Sequence, residues 1–77
     1  MKLVRITWLD AVSDESGWKH LDKIRGQKPP TVRSVGWVIA RTKTHITLAA
    51  SIYEDHGDGD VTIPLGMVKK EEELVCK

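Results

Sequence analysis

The sequence predicts an all-β domain: a small five-stranded barrel with one long connection between its first two strands. Residues 31–53 predict two strands that meet at a tight turn, and they form the longest β signal in the chain. Residues 3–11 alternate in the period of two that half-buried strands show. Residues 61–75 predict two further short strands, because Pro64 lacks a backbone N–H and ends regular pairing between them.

A chain of 77 residues predicts a single domain, spanning residues 1–77. A domain this short buries only about 60–65% of the surface of its unfolded chain, which leaves a thin stability margin. Cys76 is the only cysteine, so no disulfide within the chain can add to its stability. We therefore expect a compact barrel that also forms a homo-oligomer, since small barrels leave strand edges free.

The chain is also expected to work in a cytoplasm. An unpaired cysteine, together with an N-terminal stretch that lacks the apolar run of a signal peptide, indicates a reducing compartment. No stretch approaches the roughly 18 consecutive apolar residues of a membrane-spanning helix, so no membrane partner is expected.

Charge is balanced overall but separated along the chain. There are 12 Lys and Arg residues against 11 Asp and Glu residues, which is unusual for a protein that binds polyanions over its whole surface. Residues 19–33 carry five Lys or Arg and one Asp, whereas residues 54–60 carry four carboxylates and no Lys or Arg. Residues 71–73 add three glutamates. Any anion site must therefore be local, and oppositely charged segments also favour self-association.

The first strand is predicted from Leu3 to Ala11, with polar residues 13–15 ending it. Its β-branched and aromatic residues support this assignment. Three of them alternate along the strand and are expected to point the same way: Val4, Ile6 and Trp8. Trp8 is expected in the core, because large aromatic side chains dominate small cores.

The first connection, residues 12–30, contains a predicted short helix at Ser16–Gly26, and an ordered loop is the alternative. Ser16 can accept a backbone hydrogen bond as N-cap, and Gly26 can end the last turn. One apolar face recurs at helical spacing and is expected to pack on the barrel. It consists of Trp18, Leu21 and Ile24 or Arg25. The Pro29–Pro30 pair favours extended backbone and ends this element.

The second and third strands are predicted at Thr31–Arg41 and His45–Tyr53, joined by a turn over Arg41–Thr44. Both faces of the second strand are apolar, so we expect it to be covered on both sides. One face holds Val35, Trp37 and Ile39, and the other holds Gly36, Val38 and Ala40. Gly36 in the middle of a strand indicates a bulge or sharp bend.

Residues Glu54–Asp60 are predicted to form a loop, because they contain two glycines and four carboxylates. A fourth strand at Val61–Pro64 and a 3₁₀ turn through Met67 follow. The fifth strand is predicted at Val68–Val75. No internal repeat is present.

This order of elements resembles the SH3-like small barrel and the related Sm-like barrel. The resemblance rests on VTIPLGMVKKEEEL (Val61–Leu74), which is similar to the SH3-type ending of strand, proline, helical turn and last strand. It rests also on the opening TWLDA, followed by a long first connection. The resemblance implies a five-stranded SH3-like or Sm-like barrel.

The pattern along the whole chain also resembles short proteins of tailed bacteriophages. The resemblance rests on five short motifs: WLDA at Trp8–Ala11, GW at Gly17–Trp18, LD at Leu21–Asp22, SVGW at Ser34–Trp37 and IP at Ile63–Pro64. The resemblance implies a phage accessory protein, working in the cytoplasm of the infected bacterial host. This resemblance does not imply any particular biochemical activity.

The candidate ligand-binding residues are five cations and two tryptophans beside them. They are Trp18, Lys19, Lys23, Arg25, Lys28, Arg33 and Trp37. Arginine offers phosphate a planar fork, lysine a point charge, and tryptophan a face on which a base or a peptide proline can stack. The alternative is structural: the cations form a solvated surface, Trp37 fills the barrel and Trp18 holds the first connection against it.

No catalytic or metal-ligand motif stands out, so we expect a non-enzymatic protein without a metal or cofactor. Residues 54–60 do not have the spacing of an EF-hand calcium loop. His20, His45 and His56 lie far apart, with no cysteine or carboxylate at zinc-ligand spacing. Cys76 lies one residue from the end of the chain, where a nucleophile has no fixed base.

These observations favour a homo-oligomer that captures a phosphate-bearing small molecule, with two basic segments converging on one pocket. In a phage, such a protein could sequester a nucleotide immune signal of the host and act against its defence. Two alternatives stay open. One is single-stranded nucleic-acid binding, by analogy with Sm-like barrels, and the other is a protein–protein interaction module, by analogy with SH3-like barrels.

Overall fold

The computed structural model describes residues 1–11 and 17–75. Strands make up 57% and helices 11% of it, so the prediction of a mostly β protein is confirmed. The elements are β1 (Leu3–Leu9), α1 (Leu21–Arg25), β2 (Thr31–Arg41), β3 (His45–Ala49), β4 (Ser51–Tyr53), β5 (His56–Asp58), β6 (Val61–Pro64), a 3₁₀ turn (Leu65–Met67) and β7 (Val68–Leu74).

Five strands form one antiparallel sheet in the order β6–β3–β2–β1–β7. All five predicted strands are present in it, although the first, third and fifth end earlier than predicted, at Leu9, Ala49 and Leu74. β1 lies between β2 and β7, so its residues from Leu3 to Trp8 have a neighbour on either side. Val4, for example, lies opposite Gly36 of β2 and Glu73 of β7.

The sheet is strongly curled. Ile6 lies opposite both Ser34 and Glu71, so in a flat sheet Glu71 would be level with Ser34. Arg41 is seven residues further along β2, which is about 23 Å at the rise of an extended strand. Yet the Arg41 Nη2 atom lies 2.6 Å from the Glu71 Oε2 atom. Bulges in the β1–β7 and β2–β3 pairings increase the twist that brings them together.

The curled sheet does not close, because its two edge strands do not form a hydrogen-bonded ladder with each other. In the described part of the chain, β6 and β7 each pair with one neighbour only, and a closed barrel is not found. The edges meet through side chains and the 3₁₀ turn instead. The Leu65 N–H donates to the Thr44 carbonyl oxygen at 2.9 Å, which fixes this turn against the β2–β3 turn.

The core lies on the concave face of the curled sheet. Its buried members are Val4, Ile6, Trp8, Ile46, Leu48 and Ile63. The prediction that Trp8 belongs to the core is confirmed, and its indole Nε1–H donates to Ser34 Oγ at 3.0 Å. That bond satisfies the one polar group that a buried tryptophan brings with it.

Trp37 does not fill this core, so that structural interpretation is wrong. It is half-buried on the opposite face of the sheet, level with Leu3 of β1. The reason is strand parity: buried Gly36 and half-buried Val38 face the concave side, and Trp37 between them must face away. The expectation that β2 is covered on both faces is wrong as well, since Val35 is 52% exposed.

Gly36 marks the closest approach of β3 to β2. A Cβ atom here would lie 2.8 Å from the Ala49 carbonyl oxygen and 3.0 Å from the Leu48 Cβ. The register shift that the sequence indicated near Gly36 lies two residues later, between Val38 and Ala40. The glycine therefore serves a close backbone contact, and the bulge follows it.

The third strand ends at Ala49, four residues earlier than predicted, because the chain turns into a second, two-stranded sheet. The Ala50 N–H donates to the carbonyl oxygen of Asp58 at 3.0 Å instead of continuing along β2. β4 and β5 then pair from Ser51 opposite Asp58 to Tyr53 opposite His56. The prediction of a plain loop at Glu54–Asp60 is therefore wrong: its middle is one strand of this acidic hairpin (residues 51–58).

The helix in the first connection is shorter than predicted. α1 begins after His20, whose Nδ1 accepts the Asp22 N–H at 3.2 Å, and ends at Gly26 as expected. The predicted N-cap, Ser16, lies outside the described residues. Each of the two alternatives is partly right, since residues 17–30 contain five helical residues and are otherwise irregular.

The apolar face of this helix does not pack on the sheet, so that expectation is wrong. Trp18, Leu21 and Ile24 are 105%, 60% and 47% exposed. The radius of gyration is 15.8 Å, against about 11.5 Å for a compact domain of this length. The difference shows that segments of the chain project from the sheet. No helix in residues 1–11 or 17–75 has the length and apolarity to cross a membrane.

Candidate functional site

The first connection leaves and rejoins the sheet at one place. Leu9 and Thr31 form the last pair of the β1–β2 ladder, and the Asp10 N–H donates to the Pro30 carbonyl oxygen at 3.0 Å. This bond holds the two ends of the connection together. The basic side chains of the connection are therefore attached to the sheet end that carries Thr7 and Arg33.

The structure places the seven candidate residues in two groups. The connection group is Trp18, Lys19, Lys23, Arg25 and Lys28, and the sheet group is Arg33 and Trp37. Within the described part of a single chain, no pocket encloses either group.

In the connection group, every residue except half-buried Lys19 is exposed. The Arg25 Nη1 atom pairs with Asp22 Oδ1 at 3.1 Å within α1. Lys23 and Lys28 make no side-chain hydrogen bond or ion pair with another described residue. Their charge is available to an outside partner.

In the sheet group, Arg33 and Trp37 lie on the same outer face of β2, the face opposite the core. They are four positions apart, which is about 13 Å along a strand, with Val35 between them on the same face. Because paired residues of neighbouring strands share a face, the register extends this face across β1 and β7. Arg33 lies opposite Thr7, and Thr7 lies opposite Lys70.

Thr7 and Lys70 were missed as candidate residues. Arg33, Thr7 and Lys70 form one row across three strands, here called the cationic row. Strands are about 4.8 Å apart, so the outer two Cα atoms lie roughly 10 Å from each other, with the threonine hydroxyl between. The strand that contains Lys70 was predicted as the fifth strand. Only the pairing of that strand with β1 brings Lys70 beside Arg33.

The next row of the outer face contains a half-buried ion pair. Arg5 Nε and Nη2 donate to Glu72 Oε1 at 3.1 and 3.0 Å, and Nη2 also reaches Oε2 at 3.0 Å. These hydrogen bonds lower the pKa of Glu72 and raise the pKa of Arg5. Lys70 Nζ lies 3.7 Å from the same carboxylate, which confirms that Lys70 and Glu72 share this face.

The balance of charge on this part of the outer face is positive. Among the described residues, three cations, Arg5, Arg33 and Lys70, share this part of the face with one carboxylate, Glu72, which Arg5 already engages. Arg33 itself makes no ion pair with another described residue. The face can therefore attract an anion although the chain as a whole is close to neutral.

The acidic hairpin offers no comparable chemistry. Asp55 Oδ1 lies 2.8 Å from His56 Nδ1, and both side chains are more than 80% exposed. Among the described residues, no three His, Cys, Asp or Glu side chains gather as a metal site would require. Cys76 lies outside the described residues.

Comparison with known proteins gives no family for this chain. No family model, curated protein or solved structure matches it. The resemblances to SH3-like and Sm-like barrels and to tailed-phage proteins therefore stay predictions.

Proposed function

We propose that this is a non-enzymatic binding protein whose homo-oligomer captures a phosphate-bearing small molecule. The observation that carries the proposal is the exposed charge of Lys23 and Lys28 in the first connection, which no other described residue pairs. Both lysines belong to the same connection as a fully exposed Trp18, and this connection is tied to the sheet end that holds Arg33. Cations next to an indole suit a ligand that has both phosphate and a flat ring.

A homo-oligomer is supported by the apolar surface that a single chain leaves open. Trp18, Leu21 and Ile24 line the same connection as the free lysines and are all exposed. Covering them with the first connection of a second copy would also bring two sets of cations together. The proposed site is therefore shared between copies.

The finer fold and the source are parts of the same proposal. A curled five-stranded antiparallel sheet, with a 3₁₀ turn before its last strand, is compatible with an SH3-like or Sm-like barrel. In a tailed phage, such a protein would act in the cytoplasm of the infected host. There it would sequester a nucleotide immune signal and so oppose host defence.

Isothermal titration tests the proposal with a panel of phosphate ligands: ADP, ADP-ribose, cyclic ADP-ribose, cyclic AMP and cyclic di-AMP. We expect at least one to bind, and we expect the double variant K23Q/K28Q to weaken that binding about tenfold or more. The matched control is Lys43→Gln, which removes an equally exposed charge from the β2–β3 turn. Flat heats for the whole panel would reject the proposal.

A second candidate is single-stranded nucleic-acid binding, favoured by the complete exposure of Trp18. Bases of any sequence can stack on such an indole, and lysines can follow the backbone. This function predicts affinity for oligothymidine that rises with strand length and falls steeply with salt. A small-molecule site predicts neither a dependence on length nor so steep a dependence on salt.

A further inference from the structure

We propose that the ligand of this protein is a nucleotide with a diphosphate, bound along β2 on the outer face of the sheet. Its phosphates lie in the cationic row, over Thr7 and between Arg33 and Lys70, and its base lies against Val35 and Trp37. The inference rests on the proposed function. It adds Thr7 and Lys70 to Arg33 and Trp37 of the sheet group, places the ring of the ligand at Trp37 instead of Trp18, and specifies the class of ligand.

The register places the phosphate-binding groups. Arg33 and Lys70 stand on either side of Thr7, and their side chains are long enough to meet above it. Arginine and lysine contribute fork-like and point-charge donors, and the threonine hydroxyl adds a third donor between them. Arg5 is a diagonal neighbour of Arg33, about 7–8 Å away, and it adds positive potential.

The ion pair between Arg5 and Glu72 leaves Lys70 of the cationic row available to a ligand. Two of the Arg5 donors hold the Glu72 carboxylate in place and satisfy it, so that Lys70 contacts it only at 3.7 Å. An anion can therefore recruit Lys70 without leaving Glu72 unpaired. Because the side chains of Lys70 and Arg5 stay 66% and 43% exposed, a phosphate can reach them without displacing any part of the sheet.

The base is placed by the apolar residues that follow Arg33 on the same face. Val35 is 52% exposed and Trp37 is half-buried, so both offer apolar surface that a single chain leaves uncovered. They lie two and four residues beyond Arg33, in the direction along the strand away from the first connection. A ligand with phosphate at one end and an aromatic ring at the other matches this order of cation, aliphatic and indole.

The experiment titrates the full chain with ADP and with pyrophosphate, for the wild type, Lys70→Gln and the control Lys43→Gln. We expect Lys70→Gln to weaken both probes about fivefold or more, as the loss of one exposed charge contact does. Lys43→Gln should stay within about twofold of wild type.

Nuclear magnetic resonance adds a readout that needs no variant. The chain has three tryptophans, so it gives three indole N–H signals. ADP should shift the Trp37 indole signal and the Thr7 amide, whereas pyrophosphate should shift Thr7 alone. The Trp8 indole is an internal control, because it is buried and bonded to Ser34.

The outcomes separate this inference from the function on which it rests. If other members of the nucleotide panel bind but ADP and pyrophosphate do not, the inference is wrong and the proposed function stands. The inference is also wrong if ADP binds, Lys70→Gln and Lys43→Gln behave alike, and only the Trp18 indole shifts. If no ligand in the panel binds, the proposed function and this inference are both wrong.

Discussion

The five-stranded sheet and the segments that project from it differ in almost every physical respect. The sheet contains all the fully buried side chains of the hydrophobic core, and its strands are held by long-range pairing. The described part of the first connection, residues 17–30, and the acidic hairpin have exposed side chains almost throughout. The sheet therefore stabilises the fold, and the projecting segments are free to change without unfolding it.

This contrast also separates two kinds of tryptophan. Trp8 is buried and hydrogen-bonded, and Trp18 is fully exposed in the connection. Burial of a large indole stabilises a small domain, whereas its exposure to water is unfavourable unless a partner covers it. The same residue type therefore contributes to stability in one region and, under the proposed function, to binding in the other.

The largest expected effect is on the free energy of unfolding, when one isoleucine from each region is replaced. Ile6→Ala removes a side chain with no exposed surface, and we expect a loss of about 2–5 kcal/mol. Ile24→Ala on α1 should change stability by less than about 0.5 kcal/mol, because Ile24 is 47% exposed. Urea unfolding of both variants at low protein concentration measures the difference.

Equal losses in the two variants would contradict the division into a stabilising sheet and a free connection. A loss for Ile24→Ala that grows with protein concentration would instead show that a second copy covers α1.

A smaller effect is expected at Gly36, where the sheet is closely packed. Gly36→Ala places a methyl group 2.8 Å from the Ala49 carbonyl oxygen, so the backbone of β2 or β3 must shift. We expect a loss of about 1–3 kcal/mol in urea unfolding. Gly66→Ala in the 3₁₀ turn is the matched control, since a Cβ atom there meets nothing within 4 Å. If both variants were equally stable, the close approach would not be as described.

The smallest expected effect is a dependence of stability on pH. Hydrogen bonds from Arg5 lower the pKa of Glu72 in the folded chain below its ordinary value of 4.5. The unfolded chain then binds the proton more readily, so this contribution is present above pH 4.5 and is lost as the pH falls through the folded value. Glu72→Gln should therefore flatten the acid side of a plot of melting temperature against pH.

The control for this prediction is Glu54→Gln, which removes an exposed carboxylate that makes no ion pair with another described residue. An unchanged acid side in Glu72→Gln would show that the pair with Arg5 does not contribute to stability.

Much of the sheet followed from sequence because its signals are local. The alternation of Val4, Ile6 and Trp8 identifies a strand and its buried face without any knowledge of its neighbours. Pro64 marks the end of β6 for a reason contained in one residue, its missing N–H. The acidic hairpin escaped prediction because glycine and carboxylates are typical of loops, while its pairing uses only backbone groups.

The candidate site was predicted less completely. The basic residues of the first connection and Arg33 were identified as a cluster, because they are close in sequence. Lys70 was not, since it is 37 residues from Arg33 and becomes its neighbour only because β1 lies between β2 and β7. Trp37 was a candidate ligand-binding residue with a core position as the alternative, and sequence alone could not choose between them because both faces of β2 are apolar.

The amino-acid order by itself determined that five strands form the main sheet, which face of β1 is buried, and that positive and negative charge are separated along the chain. Each of these depends on neighbours within a few residues, whose sterics and hydrogen bonding act at any stage of folding. Tertiary structure alone decided that Arg33 and Lys70 share a row and that Trp37 faces outward. Those outcomes depend on the register between distant strands, which is set when the whole sheet curls around its core.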